Sequence, residues 1–170
     1  MIMDAMMPAP DAMTLLAHLG VIRAEGPDAA SFLHGQLTQD FSLLGMAEAR
    51  LAAYCTPKGR IQASFIGLKR SPQEILLVCQ RDLLEAVRKR LSMFVLRSKV
   101  RLVDVGDTIR VAGLLGAVVA DLAPAAAQPW ARQDHGSVSL VRLYPAGNVA
   151  RALWIAPQDV PLPMPCAASA

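Results

Sequence analysis

Cysteine, aromatic residues and long apolar runs are all scarce in this chain, and each scarcity removes a class of function. The three cysteines, Cys55, Cys79 and Cys166, lie far apart, with no CxxC pair and no Cys/His cluster. Neither a zinc site nor a disulfide framework is expected from that spacing. Cys55 and Cys79 fall in apolar, strand-like runs, where a buried and inert thiol is the ordinary reading. His18, His34 and His135 form no HxxxH or HExxH pattern, which speaks against a metal site. His34 precedes Gly35 near a helix end, which suits capping or packing. No GxSxG elbow is present, so no Ser/His/Asp arrangement assembles. Gly113-Leu114-Leu115-Gly116 lacks the lysine and the glycine spacing of a phosphate loop and reads as a strand end and turn.

Membrane signals are missing too. No run reaches the roughly 18 apolar residues that a spanning helix needs. The nearest, residues 111–122, is interrupted by Gly113, Gly116 and Asp121. Residues 1–11 have no basic n-region and carry Asp4, Pro8 and Pro10, which argues against a signal peptide. A soluble, cytoplasmic protein is the expectation. What the chain does have is apolar content: 54% of its 170 residues are hydrophobic, enough for one domain with a real core. Seventeen basic and 14 acidic residues leave a net charge of +3, which permits an acidic ligand without requiring nucleic acid.

The pattern of apolar residues predicts a strand over 21–25 and a helix over 27–37, with Pro27 in its first turn. Ala29, Phe32, Leu33 and Leu37 recur on that helix at core spacing. Strands follow at 47–55, 60–68 and 74–79, with a break at Arg70-Ser71-Pro72. A second helix covers 81–94, with Leu83, Leu84, Val87 and Leu91 on one face, and strands cover 99–105 and 108–114 around Gly106-Asp107. The order β-α-β-β-β-α-β-β predicts an α+β fold, a mixed and largely antiparallel sheet with two helices on one face. Beyond residue 117 the pattern thins. Residues 123–129 are rich in Ala and Pro and read as a loop, and 138–143 and 150–155 make a second hairpin through Pro145-Ala146-Gly147-Asn148. The four prolines from Pro157 to Pro165 predict a frayed tail.

Two places carry candidate chemistry. The first is the hairpin Tyr54-Cys55-Thr56-Pro57-Lys58-Gly59-Arg60, whose turn uses Pro57 to set φ and Gly59 for a positive φ. Strict alternation would put Arg60, Gln62 and Ser64 on one strand face, near Lys58 and Tyr54. Such a row lines a ligand pocket or a solvated sheet face. Its cations suit an anionic ligand tail. The second place is a basic run around the second helix, with Arg81, Arg88, Lys89, Arg90, Arg97, Lys99 and Arg101 set against Asp82 and Glu85. Arg88, Lys89 and Arg97 are the candidates for phosphate contact there. Only Phe94 interleaves with them, and aromatics are 5% of the chain, so a solvated helix face near the C-terminal dipole is the competing explanation.

The segment from Gly20 to Asp40 joins a short strand, a Gly26-Pro27-Asp28 turn, an amphipathic helix and the exit Gln36-Leu37-Thr38-Gln39-Asp40, and the hairpin follows. Together these residues resemble the amino-terminal part of YgfZ-type folate-binding proteins, relatives of the glycine-cleavage T-protein. The resemblance covers roughly residues 15–155 and is clearest over 20–60. It implies a T-protein-like folate-binding domain over 15–116, a flexible start over 1–14, a partial second subdomain over 117–156 and a Pro-rich tail over 157–170. It implies tetrahydrofolate as ligand, with Tyr54, Lys58, Arg60, Gln62, Ser64, Gln36, Thr38 and Asp40 as candidate contacts.

Where the T-protein pattern reads Gly-Gly-x-x-Asp-Asp, this chain has Lys58, Gly59, Arg60, Ile61, Gln62 and Ala63. Both carboxylates are replaced, and the Lys-Gly-Arg form is that of the YgfZ branch. That implies a role in maintaining iron–sulfur enzymes and in tRNA modification, with those enzymes as partners and no stand-alone catalysis. The alternatives are one-carbon transfer with a carboxylate from elsewhere, such as Asp40, and an RNA-contacting accessory module. The downstream Lys-Gly-Cys-x-x-Gly-Gln motif of the YgfZ branch is not in these 170 residues, so a shortened or divided form is expected. Apolar surface left open in such a form would favour self-association.

Overall fold

The computed structural model describes residues 11–124 and 128–166. The chain enters through β1 (Ala12–Leu15) and turns into β2 (Leu19–Glu25). Gly26, at φ +133°, opens the turn into α1 (Ala29–Gln36). A Cβ on Gly26 would lie 2.1 Å from the Lys99 carbonyl oxygen, so only glycine lets the turn reach that segment. The Asp28 carboxylate accepts the Lys99 N–H at 2.7 Å, fastening the same contact. The meander β3 (Ala49–Cys55), β4 (Ile61–Ser71) and β5 (Glu74–Gln80) leads to α2 (Arg81–Ser92) and the short strand β6 (Arg101–Asp104). Then come β7 (Ile109–Leu115), the single turn α3 (Val118–Leu122), β8 (Arg132–His135), β9 (Val138–Ala146) and β10 (Val149–Pro157).

These strands form two five-stranded sheets, ordered β3-β4-β5-β2-β6 and β1-β7-β10-β9-β8, and every pairing among the named strands is antiparallel. The expected α+β architecture is therefore what the chain adopts. In the first sheet Ile75, Leu77 and Cys79 of β5 face α1 and α2, while Leu76 and Val78 face the second sheet. A strand covered on both faces has no polar side, which explains the unbroken apolar run of β5. Both helices pack on one face: Phe32 and Leu33 of α1 and Leu84, Val87 and Leu91 of α2 share a core with Phe65 and Leu77. Gly67 leaves room for the Phe41 ring, which a Cβ there would meet at 2.5 Å. The outer face of the second sheet is covered by α3 and by Val160, Leu162 and Met164.

Several expectations are corrected here. Residues 12–14 belong to β1, at the edge of the second sheet, and are not part of a flexible start; residues 1–10 of that expectation lie outside the described residues. The division after residue 116 does not match the sheets, since β7 sits between β1 and β10 in the second sheet. The strand β8 was hidden by the polar pattern Arg-Gln-Asp-His. The tail is docked as far as Met164 instead of fraying: the Gln158 N–H donates to the Thr108 carbonyl at 2.9 Å, Arg110 donates to the Val160 carbonyl, and Val160, Leu162 and Met164 cover the second core. The loop expected over 123–129 falls partly on residues 125–127, outside the described residues. Among the described residues, no helix is long and apolar enough to cross a membrane.

Candidate functional site

The hairpin closes as its sequence predicts. The Thr56 carbonyl accepts the Gly59 N–H at 2.8 Å, the Thr56 hydroxyl accepts the Arg60 N–H at 3.1 Å, and Gly59 takes φ +77°. Above this turn the ladder slips. Tyr54 faces Ala63 but Cys55 faces Ile61, so Gln62 has no opposite residue and forms a β-bulge. A bulge breaks strict alternation, and Gln62 lines the same cleft as Tyr54.

That cleft has a volume of ≈ 690 Å³ and opens between three elements. The end of α1 contributes Gly35 and Gln36, and the hairpin contributes Tyr54, Cys55, Thr56, Pro57 and Gln62. Leu83, Ala86, Val87 and Arg90 come from α2, and Phe94 from the turn after it. The hairpin and α1 thus supply the polar groups, and α2 supplies an apolar wall with one cation. Among the described residues Arg90 is the cleft's only charged lining side chain, and its Cζ lies 5.5 Å from the centroid of the Phe94 ring.

Of the eight ligand candidates, the structure brings together Gln36, Tyr54 and Gln62. It does not bring in the other five. Lys58 and Arg60 are exposed at the hairpin turn and do not line the cleft. Ser64 is exposed but on the alternate face from Ala63 and Phe65, which pack towards the helices. Thr38 is a structural clamp on the edge strand β3: its hydroxyl accepts the Ala53 N–H at 2.9 Å and its own N–H donates to the Ala53 carbonyl at 3.0 Å. Asp40 accepts the N–H groups of Ser42 and Leu43 at 2.8 and 3.2 Å and pairs with His34 at 3.3 Å, so its carboxylate organises the turn after α1. The expected sharing of a face by Arg60, Gln62 and Ser64 fails at the bulge.

Sequence reasoning missed Arg90, Leu83 and Phe94 as cleft residues. Leu83 was assigned to the core face of α2, yet it is exposed to the cleft while Leu84 takes the buried position. The signal was present: Leu83, Ala86, Val87, Arg90 and Phe94 follow i, i+3, i+4, i+7, i+11 spacing, one step round the helix from the Leu84, Val87, Leu91 stripe.

Of the three phosphate-contact candidates, Arg88 and Lys89 are engaged in ion pairs. Arg88 grips Glu85 with two hydrogen bonds of 3.0 Å, and Lys89 reaches the same carboxylate at 3.2 Å, holding Glu85 below the ordinary carboxylate range through Arg88 first and Lys89 second. Arg97 is exposed in the segment after α2. Among the described residues, no group of three or more His, Cys, Asp or Glu side chains is arranged to hold a metal ion.

No family model matches the chain. It is 31% identical over 107 residues to the tRNA-modifying protein YgfZ of Hamiltonella defensa, covering 63% of this chain and 31% of that protein. It is 35% identical over 63 residues to an aminomethyltransferase of Thermotoga maritima, covering 37% of this chain and 17% of that enzyme. Among solved structures, the glycine cleavage system aminomethyltransferase T from Bartonella henselae shares the fold, with a TM-score of 0.73 at 18% identity over 88% of this chain and 42% of that one. The chain spans roughly a third of the length of the curated relatives that it matches first. In sequence the chain is similar to YgfZ and aminomethyltransferase proteins, and in fold it is similar to the glycine-cleavage aminomethyltransferase T.

Proposed function

We propose that this chain is a tetrahydrofolate-binding unit of YgfZ type that works in the cytoplasm, in iron–sulfur enzyme maintenance and tRNA modification. The observation that carries the reading is the cleft itself. Its ≈ 690 Å³ falls within the range of small-molecule sites, and its mixture of apolar wall and a few convergent polar groups is what such sites use. Gln36, Gln62 and Tyr54 offer both donors and acceptors, suited to the edge of a pterin ring. Leu83, Val87 and Phe94 offer apolar and aromatic surface for a ring.

Binding without group transfer is the favoured form of this function. Gln62 stands where the T-protein pattern has an aspartate, and among the described residues no carboxylate lines the cleft. An amide can hold a ligand by hydrogen bonds but cannot balance positive charge that builds during aminomethyl transfer. The tRNA-modification role rests on the name of the YgfZ relative.

The test is calorimetric titration of the folded chain with reduced tetrahydrofolate under anaerobic conditions. Saturable binding is expected, and Gln62→Ala should weaken it about tenfold, the equivalent of roughly one lost hydrogen bond. Lys58→Ala, at the hairpin turn, should leave it within about twofold, since an exposed charge outside the cleft contributes little. A folded sample with no saturable heat would overturn the proposal.

A further inference from the structure

The cations expected to hold an anionic ligand tail, Lys58 and Arg60, lie outside the cleft, and one unforeseen cation lies inside it. We propose that Arg90 is the residue that selects the ligand's charge: it binds the carboxylate end of a folate and makes the cleft prefer anionic folates over uncharged reduced pterins. The inference rests on the folate reading above and adds its specificity determinant.

Three observations converge on Arg90. Among the described residues it is the only charged side chain lining a cleft of ≈ 690 Å³ whose other walls are apolar or neutral polar, so ionic selection there falls to it. Its neighbours on α2 are already committed: Arg88 and Lys89 share Glu85, and Arg81 lies 3.6 Å from Asp104. Among the described residues no carboxylate pairs with Arg90 within 4.0 Å; its guanidinium lies over the Phe94 ring, at 5.5 Å from the centroid. A guanidinium resting on a ring keeps its in-plane N–H donors unused, in the fork geometry that matches a carboxylate. Phe94 therefore acts as a positioning residue, holding the fork against the wall of the cleft.

The placement has a physical advantage over the hairpin turn. A cation on an exposed turn is screened by water and salt, whereas a guanidinium flanked by Leu83, Val87 and Phe94 works beside low-dielectric surface. Arg90 is itself solvent-accessible on α2, so its replacement does not disturb the core stripe of Leu84, Val87 and Leu91.

The experiment compares two probes on the full chain and on Arg90→Gln: tetrahydrofolate, and 6-methyltetrahydropterin, which has the reduced ring without the glutamate tail. The expected result is a loss of roughly 10- to 100-fold for tetrahydrofolate in Arg90→Gln, the range of a charge-assisted hydrogen bond, with pterin binding unchanged. Arg90→Lys should restore part of the loss, because it returns the charge without the fork. The salt dependence of tetrahydrofolate binding should flatten in Arg90→Gln. Unchanged tetrahydrofolate affinity in that variant would overturn this inference and leave the folate reading standing. An equal loss for both probes would also overturn it, since Arg90 would then be shaping the cleft without reading charge. If the unaltered chain binds neither probe, the folate reading and this inference fall together.

Discussion

At the scale of single residues, Cys79 shows how burial decides chemistry. It sits at the end of β5, 3% exposed, and desolvation pushes its thiol from 9.0 up to about 11, with a smaller lowering by Arg81 and a smaller raising by Asp104. The folded chain therefore keeps this proton to higher pH than the unfolded chain does. The stabilisation is fully present below about pH 9 and is lost as pH rises towards 11, on the order of 2–3 kcal/mol for a two-unit shift. Urea titrations at intervals over that window should show a steeper decline for the parent chain than for Cys79→Ala. Equal slopes would mean that the thiol is not protected. The inert, buried thiol was legible from the apolar run around it. Gln62 was legible only as a polar residue on a strand, because nothing in the alternation of residues 60–64 announces a bulge.

At the scale of elements, the strand pair β2–β6 depends on a charged clasp. Glu25 lies opposite Arg101 in the register, accepts its Nε–H at 2.7 Å, and also meets Arg23 at 3.0 Å. The hydrogen bonds from Arg101 hold the Glu25 carboxyl below its ordinary 4.5, against a desolvation effect that would raise it. A depressed carboxyl contributes stability that is present above its unfolded value and lost as pH falls through the folded one. Glu25→Gln should therefore remove part of the acid sensitivity below about pH 5, by about 1 kcal/mol or less because the clasp is partly in water. Thermal unfolding of both forms at pH 6 and pH 3 would check it, and identical acid losses would refute it. The helix α2 shows where element-level reading stops. Its 3.6-residue period identified the helix, but two adjacent stripes, one buried and one facing the cleft, look alike until the packing partner of each is known.

At the scale of the whole molecule, the two sheets are joined by a buried cation as well as by apolar packing. The Arg132 side chain, 1% exposed, reaches from β8 to the Lys69 carbonyl of β4 at 2.5 Å and pairs with Asp134 at 2.6 and 3.0 Å. The neighbouring backbone reinforces this seam, with the Ala49 N–H donating to Trp130 and the Arg132 N–H donating to Ala47, each at 2.8 Å. Arg132→Ala should cost about 3 kcal/mol, since it leaves a partly buried carboxylate and a backbone carbonyl without their partner. Denaturation followed by tryptophan emission, from Trp130 and Trp154, should still show one transition at lower denaturant. A loss below about 1 kcal/mol would mean that packing alone holds the seam.

The sequence by itself determined the α+β class, the two principal helices, the core stripes and the hairpin with its Pro57–Gly59 turn, because these depend on contacts within a few residues and on local periodicity. The resemblance carried by Gly20 to Arg60 was local for the same reason, and it pointed to the relatives that share the fold. Only the tertiary structure decided that β7 leaves the first sheet for the second, that the proline-rich tail docks on a second core, and that Gln62 and Arg90 share a cleft while Lys58 and Arg60 lie outside it. Gln62 and Arg90 are 28 positions apart and sit on a strand and a helix. Their meeting depends on the register of β3 with β4 and on the packing of α2, neither of which is written into the spacing of either residue.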